Sequence, residues 1–217
     1  MHRTASAPTA LIALALVTTC AAPALAAAPD APAAAPHASE VRHRYTVYGV
    51  ALTDEALLQP GPICPSGTDV PCIFGSGGGL TLRAGYRSDR PFYIGGAYEF
   101  AKLDANNLYR LGILQEVRGE VRMRWDTGRQ AWPFALGALG AAVYGNEWGV
   151  DTVAASGRLG FGLEIELSTS VSLQTSVAWH PLLVRGWLDA AGQSRDTGVA
   201  QFFGLELGLE QRDTLDW

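Results

Sequence analysis

The chain has 217 residues, of which 17% are charged and 48% are hydrophobic, and its formal net charge is −5. This acidic balance argues against nucleic acid as a partner. The 25 glycines and the low share of charged residues favour a β-barrel over a helical protein.

The first 26 residues are predicted to be a secretory signal peptide. A short basic start is followed by an apolar run from Ala10 to Val17, and small residues up to Ala26 provide a cleavage site. The run is far shorter than the roughly 20 residues of a membrane-spanning helix, so any membrane insertion would be by strands. Cleavage after Ala26 removes Cys20. Lipid attachment at Cys20 is the weaker alternative, because Thr19 suits the position before such a cysteine poorly.

Residues 27–43 are rich in Ala and Pro and are predicted to be a flexible tether. The remaining residues, 44–217, fit one domain. Apolar residues alternate there with Gly, Ala or charged residues, most clearly in Leu159-Gly160-Phe161-Gly162-Leu163-Glu164-Ile165-Glu166-Leu167. A period of two indicates strands with one apolar face and one small or ionic face.

Turn residues divide this domain into eight predicted strands. They are Arg44–Thr53, Gly78–Arg87, Phe92–Leu103, Leu108–Trp125, Trp132–Tyr144, Val153–Leu167, Val171–Trp187 and Val199–Arg212. The predicted fold class is therefore all-β: an eight-stranded, antiparallel, up-and-down transmembrane β-barrel, the smallest common size in outer membranes.

The predicted connections alternate in length. The tight ones are 88–91, 126–130 and 168–170, the longer ones are 54–77, 145–152 and 188–198, and 104–107 is a short exception on the long-loop rim. Unequal rims of this kind are typical of bacterial outer-membrane barrels. Aromatic girdles are expected at both interfaces. Their predicted members are Tyr86, Phe92, Trp125 and Trp132 beside the tight turns, and Tyr109, Tyr144, Trp148 and Trp187 near the longer connections.

Two cysteines of the barrel domain, Cys64 and Cys72, are predicted to form a disulfide, because the chain is exported. The bond would brace one loop and stabilise it by about 2 to 3 kcal/mol. A metal or redox site is the weaker alternative, since no His lies nearby and the spacing is not Cys-x-x-Cys. No metal and no cofactor is predicted.

The charged faces are predicted to turn inward. The lumen charge network consists of Glu99, Glu116, Arg118, Glu120, Arg122, Arg124, Arg158, Glu164, Glu166, Glu206 and Glu210. Arg118 and Arg122 of the fourth strand would meet acids of the sixth and eighth strands, such as Glu164 and Glu206. Side chains fill an interior of eight strands. A salt-bridged plug is therefore favoured over a narrow pore.

Segments such as Trp132–Ala142 and Phe203–Leu209 are similar to the glycine-alternating strands of the OmpA-type small outer-membrane β-barrels. The resemblance covers 44–212 and rests on architecture, not on a motif. It implies a bacterial outer-membrane location and contact with outer-membrane lipid and the assembly machinery. Family members often end on an aromatic residue that assists assembly, whereas here Asp213–Trp217 extends past the alternating pattern.

The same family includes enzymes that remodel lipid A. Those resembling lipid A deacylases use a His and a Ser two residues apart, whereas His180 is followed by Pro181 and Leu182. Ser176 and Gln174 share the face of His180, but no acidic residue that could orient the imidazole lies nearby in the sequence. His180 is therefore predicted to be a packed lumen residue, and the chain is predicted not to be an enzyme.

The predicted function is that of a non-enzymatic outer-membrane structural or surface protein. One alternative is a small-solute pore or an adhesin-like surface protein. Another is a soluble, exported, lipocalin-like barrel, in which Leu159 and Phe161 would line an apolar cavity and Gly160 would lie outside. Glycine weakens an exposed strand, which favours the membrane barrel. Loop 54–77 is the predicted contact point for an extracellular ligand.

Overall fold

The computed structural model describes residues 44–64, 71–88, 91–128, 130–189 and 191–214. The predicted signal peptide and tether lie outside these residues. The strands are β1 (Tyr45–Gln59), β2 (Gly77–Arg87), β3 (Phe92–Leu103), β4 (Gly112–Arg124), β5 (Ala131–Asn146), β6 (Thr152–Glu166), β7 (Val171–Val184), β8 (Trp187–Leu188), β9 (Ser194–Arg195) and β10 (Gly198–Thr214).

Eight of these strands form one closed antiparallel barrel in the order β1-β10-β7-β6-β5-β4-β3-β2. Strand β10 closes the barrel on β1, from Tyr45 opposite Thr214 to Gln59 opposite Gln201. The short strands β8 and β9 form a separate two-stranded sheet in the last connection. The predicted all-β, eight-stranded, antiparallel fold is confirmed. The described part of the chain contains no helix long and apolar enough to cross a membrane.

The first strand is longer than predicted. It runs to Gln59 instead of Thr53, because the alternation continues through the buried Glu55. The predicted loop 54–77 is therefore reduced to the connection 60–76, which begins with a single 3-10 turn at Gly61–Ile63.

The predicted start of the fourth strand at Leu108 is also wrong, because β4 begins at Gly112. A tight turn precedes it, in which the Leu108 N–H donates to the Ala105 carbonyl at 2.9 Å. Asn106 and Asn107 occupy its centre with φ values of 48° and 62°, a conformation that asparagine tolerates. The connection is thus 104–111 and is longer than predicted, whereas the predicted longer connection 145–152 is reduced to 147–151.

The seventh strand ends at Val184 rather than at Trp187. The chain leaves the barrel at Gly186, whose N–H donates to Thr197 Oγ1 at 2.9 Å. Trp187 then begins β8. The last connection therefore contains secondary structure of its own, which the sequence pattern did not reveal.

The alternation places small and charged residues inside the barrel and apolar residues outside. Leu159 and Phe161 face outward with 62% and 68% of their surface exposed. Gly160 faces the lumen, where an added Cβ would lie 2.8 Å from Ala178 Cα. This orientation contradicts the lipocalin-like alternative, because the residues that would line its apolar cavity lie on the outer surface.

Candidate functional site: the charged lumen and its loop cover

The structure places the eleven residues of the predicted charge network on the inner face of the barrel. All are buried except Arg124 and Glu166, which lie at the rim of the short turns. Four further charged side chains and one histidine join them. These are Glu55, Arg83, Arg87, His180 and Arg212.

Strands β4 and β10 face each other across the lumen, since they are four places apart in the closed order of eight. Two ion pairs join them directly. Arg118 Nη2 lies 2.8 Å from Glu206 Oε1, and Arg122 Nη1 lies 2.6 Å from Glu210 Oε1. The two arginines also share Glu120, each at 3.1 Å. Side chains thus bridge the full width of the barrel.

The predicted contact between Arg122 and Glu164 is not formed. Through the strand register, Arg122 lies level with Leu136 and Gly160, four residues before Glu164. Glu164 is instead surrounded by three other arginines: Arg87 at 2.7 Å, Arg124 at 3.4 Å, and Arg212, which also donates to Glu166.

A second layer of charges lies nearer the long loops. Three carboxylates converge on Arg158 Nη2, with Glu99 at 2.6 Å, Glu55 at 2.8 Å and Glu116 at 3.0 Å. Arg118 contacts two of the same groups, Glu99 and Glu116. This acidic layer was only partly predicted, because Glu55 was assigned to a loop.

His180 is fully buried in this layer. Its Nδ1 lies 3.2 Å from Glu55 Oε1, and its Nε2 lies 3.7 Å from Glu116 Oε2. An acidic partner is therefore present after all, although it lies 125 residues away in the sequence. Arg158 pairs with both carboxylates, and Arg118 also pairs with Glu116. The arrangement therefore favours ion pairing over the activation of a nucleophile.

An apolar cluster closes the lumen above the acidic layer. The first connection folds inward and buries Ile63, Ile73 and Phe74 among residues from the ends of the strands. The ring of Phe74 packs at 4.4 Å from that of Tyr144, whose hydroxyl donates to the Ile73 carbonyl at 2.6 Å. The charged layers are thereby separated from the solvent on the loop side.

This cluster corrects part of the predicted aromatic girdle. Tyr109 and Tyr144 are buried within it and Trp187 packs against it, so none of the three faces outward. Burial raises the pKa of Tyr109 above its ordinary value, and the nearby negative charge of Asp151 adds to the effect. Of the residues predicted for this rim, only Trp148 is largely exposed on the outer surface.

Arg195 braces the loop cover. Its guanidinium donates to the Ile63 carbonyl at 3.2 Å and the Pro71 carbonyl at 3.0 Å, and it pairs with Asp189 at 2.7 Å. The first connection, which carries the Cys64–Cys72 disulfide, is thus fastened to the last connection.

Asp189 is the anchor of this brace. Burial alone would raise the pKa of its carboxyl. Hydrogen bonds from the Gln193 backbone and from Arg195 outweigh that effect and hold the pKa below its ordinary value. Asp189 therefore stays charged, and the ion pair with Arg195 is kept, at neutral pH.

The outer surface carries an apolar belt with polar edges, which is clearest on β10. After Val199, its outward side chains read Gln201, then Phe203, Leu205, Leu207 and Leu209, then Gln211. Gln201 accepts a hydrogen bond from Trp179 Nε1 at 3.2 Å and donates to Gln59 at 3.0 Å. The ten steps from Gln201 to Gln211 span roughly 33 Å along the strand, or about 25 Å in height at the tilt typical of small barrels.

The inner-face residues that the sequence analysis missed follow the same period-two alternation as the predicted ones. Arg83 and Arg87 continue the inward alternation of β2 through Thr81 and Gly85. Glu55 does the same on β1 after Thr53. The contacts of Arg195 had no such signal, because they depend on how two distant loops meet.

Comparison with known proteins gives a likeness of fold. No protein-family model matches the chain, and no curated protein matches it. Among solved structures, it is similar to the crystal structure of Neisserial surface protein A, NspA, at 14% identity and a TM-score of 0.48, over 77% of this chain and 96% of that one.

It is also similar to Ail, the attachment invasion locus protein of Yersinia pestis. The crystal structure matches at 11% identity with a TM-score of 0.44, over 79% of this chain and 98% of Ail. The structure of the outer membrane protein Ail in a phospholipid bilayer nanodisc matches at 12% identity with a TM-score of 0.38, over 77% and 99% of the two chains.

Proposed function

We propose that the chain is an outer-membrane β-barrel protein of the OmpA-like kind, with a non-enzymatic structural and surface role. The apolar belt of β10 between Gln201 and Gln211 carries this proposal. The two polar edges of this belt lie about 25 Å apart in height, which matches the outward apolar band of outer-membrane barrels. Large apolar side chains are exposed on all eight strands of the barrel. In water, such a surface would cause association.

The filled lumen supports a scaffold over a pore. Ion pairs between β4 and β10 cross the interior, and the cluster around Phe74 covers the mouth at the loop end. A small-solute channel would need a continuous aqueous path through both layers. The protein's contribution to the envelope is then its barrel and the surface that its loops present.

Heat-modifiable migration on a denaturing gel tests the membrane barrel. A closed barrel has no free strand edges and should resist detergent at room temperature, so unboiled protein should migrate differently from boiled protein. The protein should also remain with membranes after carbonate extraction. Identical mobility together with recovery in the carbonate-soluble fraction would contradict the proposal.

The braced loops are a second candidate for function, as a contact surface for an extracellular partner. Arg195 joins the connections 60–76 and 185–197 on one rim.

Two matched insertion sites test which rim faces outward. Gly192 and Gly128 both lie at turn tips with positive φ and open space around them. A tag at Gly192 should be labelled on intact cells, and one at Gly128 only after permeabilisation. The reverse pattern would place these loops in the periplasm.

A further inference from the structure

The charges of the lumen do not balance among the residues that the structure describes. Eight carboxylates and seven guanidinium groups face the interior. The acids are Glu55, Glu99, Glu116, Glu120, Glu164, Glu166, Glu206 and Glu210, and the bases are Arg83, Arg87, Arg118, Arg122, Arg124, Arg158 and Arg212. Leaving out the partly exposed pair at the rim, Arg124 and Glu166, removes one charge of each sign. The excess of one negative charge therefore belongs to the buried part.

The excess is located in the layer near the loops. There Glu55, Glu99 and Glu116 share one nitrogen of Arg158, and Arg118 is the other arginine that contacts two of them. Toward the short turns, by contrast, three arginines surround Glu164. An uncompensated charge in a buried site costs several kcal/mol, so a layer of this kind should take up a neutralising proton.

The same layer contains polar atoms without hydrogen-bond partners. One oxygen of each of the three carboxylates, Glu55 Oε2, Glu99 Oε1 and Glu116 Oε1, has none, and neither does His180 Nε2. His180 lies between two of these acids, with its two nitrogens directed at Glu55 and Glu116. An imidazole that lies between two carboxyl groups can exchange a proton with either of them.

The site is sealed from the loop side. The ring of Phe202 lies 6.0 Å from the imidazole of His180, and Phe74 packs 6.3 Å beyond it. Around the imidazole, the charged groups are Glu55 on β1, Glu99 on β3, Glu116 and Arg118 on β4, Arg158 on β6, and Glu206 on β10. Strand β2 contributes the neutral Thr81, which donates to Glu99.

We propose that the unit formed by Glu55, His180 and Glu116 is a proton-binding site that holds one proton in the folded barrel. The proton neutralises the excess carboxylate, either on the imidazole or on a carboxyl of the unit. An exposed histidine loses its proton above about pH 6.5, and exposed glutamates are ionised well below that pH. Folding at alkaline pH therefore takes up a proton, and the folded barrel becomes less stable as the pH rises.

Proton uptake on folding tests this directly. The full chain is diluted from urea into lipid vesicles at pH 8 in weak buffer, and a pH indicator dye counts the protons absorbed. The wild type should take up about one proton per chain, and its unfolding constant should rise about tenfold per pH unit above pH 7. The double variant Glu55→Gln/His180→Gln removes one carboxylate together with the imidazole. It should fold without taking up a proton, and its unfolding constant should not change with pH above pH 7.

Glu147→Gln is the matched control, because Glu147 pairs with Arg110 on the exposed surface. It should behave as the wild type. No uptake by the wild type, or uptake that persists in the double variant, would overturn the assignment. If the double variant does not fold, spectroscopy of the folded wild type at pH 8 tests whether the site holds a proton. A doubly protonated His180 ring in the nitrogen NMR spectrum, or a protonated carboxyl band in the infrared, supports the site. The absence of both refutes it.

Discussion

Arg118 and Glu206 meet across the barrel, with 2.8 Å between Nη2 and Oε1, although their strands lie on opposite walls. Such a contact is possible because eight strands enclose an interior about as wide as two long side chains. Glycines on the inner face leave room for them. An added Cβ on Gly140 would lie 2.7 Å from the Arg118 Cβ. The pair therefore links β4 to β10 directly across the lumen.

Removing Arg118 should destabilise the barrel strongly. The substitution Arg118→Ala leaves several buried carboxylates with one cation fewer, at a cost of about 3 to 5 kcal/mol. Adding Glu206→Ala should recover part of that loss, because the uncompensated charge is reduced. Urea unfolding in lipid vesicles measures the four members of the cycle. The exposed pair Arg110 and Glu147 is the control, with a coupling of at most about 1 kcal/mol. Additive costs for Arg118 and Glu206 would show that their contact carries no coupling.

A pair of glycines on β5 and β6 tests which face of the sheet is inside. Gly160→Ala should destabilise by about 1 to 3 kcal/mol, because the new methyl group would press on the Val177 carbonyl and the Ala178 Cα. Gly137→Ala should change stability by less than about 1 kcal/mol, since its Cβ would have 3.9 Å to the nearest atom, on Leu159. The two free energies of unfolding are compared in one lipid. Equal costs would mean that the two glycines face equally crowded surroundings.

The sequence predicted the inner face well where the period of two is unbroken. Glu116, Arg118, Glu120 and Arg122 follow each other on β4 without interruption, and all are buried. Glu55 was missed because the adjacent acids Asp54 and Glu55 look like the start of a turn. In the structure Asp54 faces outward and Glu55 inward, so the pair obeys the same alternation.

The loop cover could not be predicted in this way. Ile73 and Phe74 are buried because the first connection turns back into the mouth of the barrel. Arg195 reaches the Pro71 carbonyl across 124 residues of sequence. Contacts of this range depend on the three-dimensional meeting of loops, and no local period encodes them. The pairing of Arg122 failed for a related reason, since it depends on the register between strands.

The apolar belt predicts a cost that depends on height in the membrane. Leu207→Arg places a charge near the middle of the belt and should cost about 2 to 4 kcal/mol, whereas Gln211→Arg at its edge should cost about 0 to 1 kcal/mol. Both side chains are exposed on the same face of β10. Reversible folding into lipid vesicles measures both. If the outer surface faced water, the two substitutions would cost equally little.

The loop brace should depend on the charge of Asp189. The pKa of Asp189 lies below its ordinary value, so its contribution is present above about pH 3.8 and is lost as the pH falls through the lowered value. Asp189→Asn should leave Arg195 less firmly held and the connection 60–76 more rapidly cut by pepsin. The ratio of cleavage rates, variant over wild type, should exceed one at pH 4 and should fall toward one as the pH is lowered. A ratio independent of pH would mean that the charge of Asp189 does not fasten the loops.

Planar bilayers separate a plug from a pore. The wild type should show no steady conductance, because the ion pairs of Arg118 and Arg122 span the lumen and the cluster around Phe74 closes the mouth. Phe74→Ala should also show no steady conductance, since it opens only the apolar layer and leaves the charged layers in place. Arg122→Glu tests the opposite case, because a charge-lined channel changes its ion selectivity when a lining charge is reversed. Stable wild-type channels whose selectivity shifts in Arg122→Glu would establish a pore, and the scaffold would have to be abandoned.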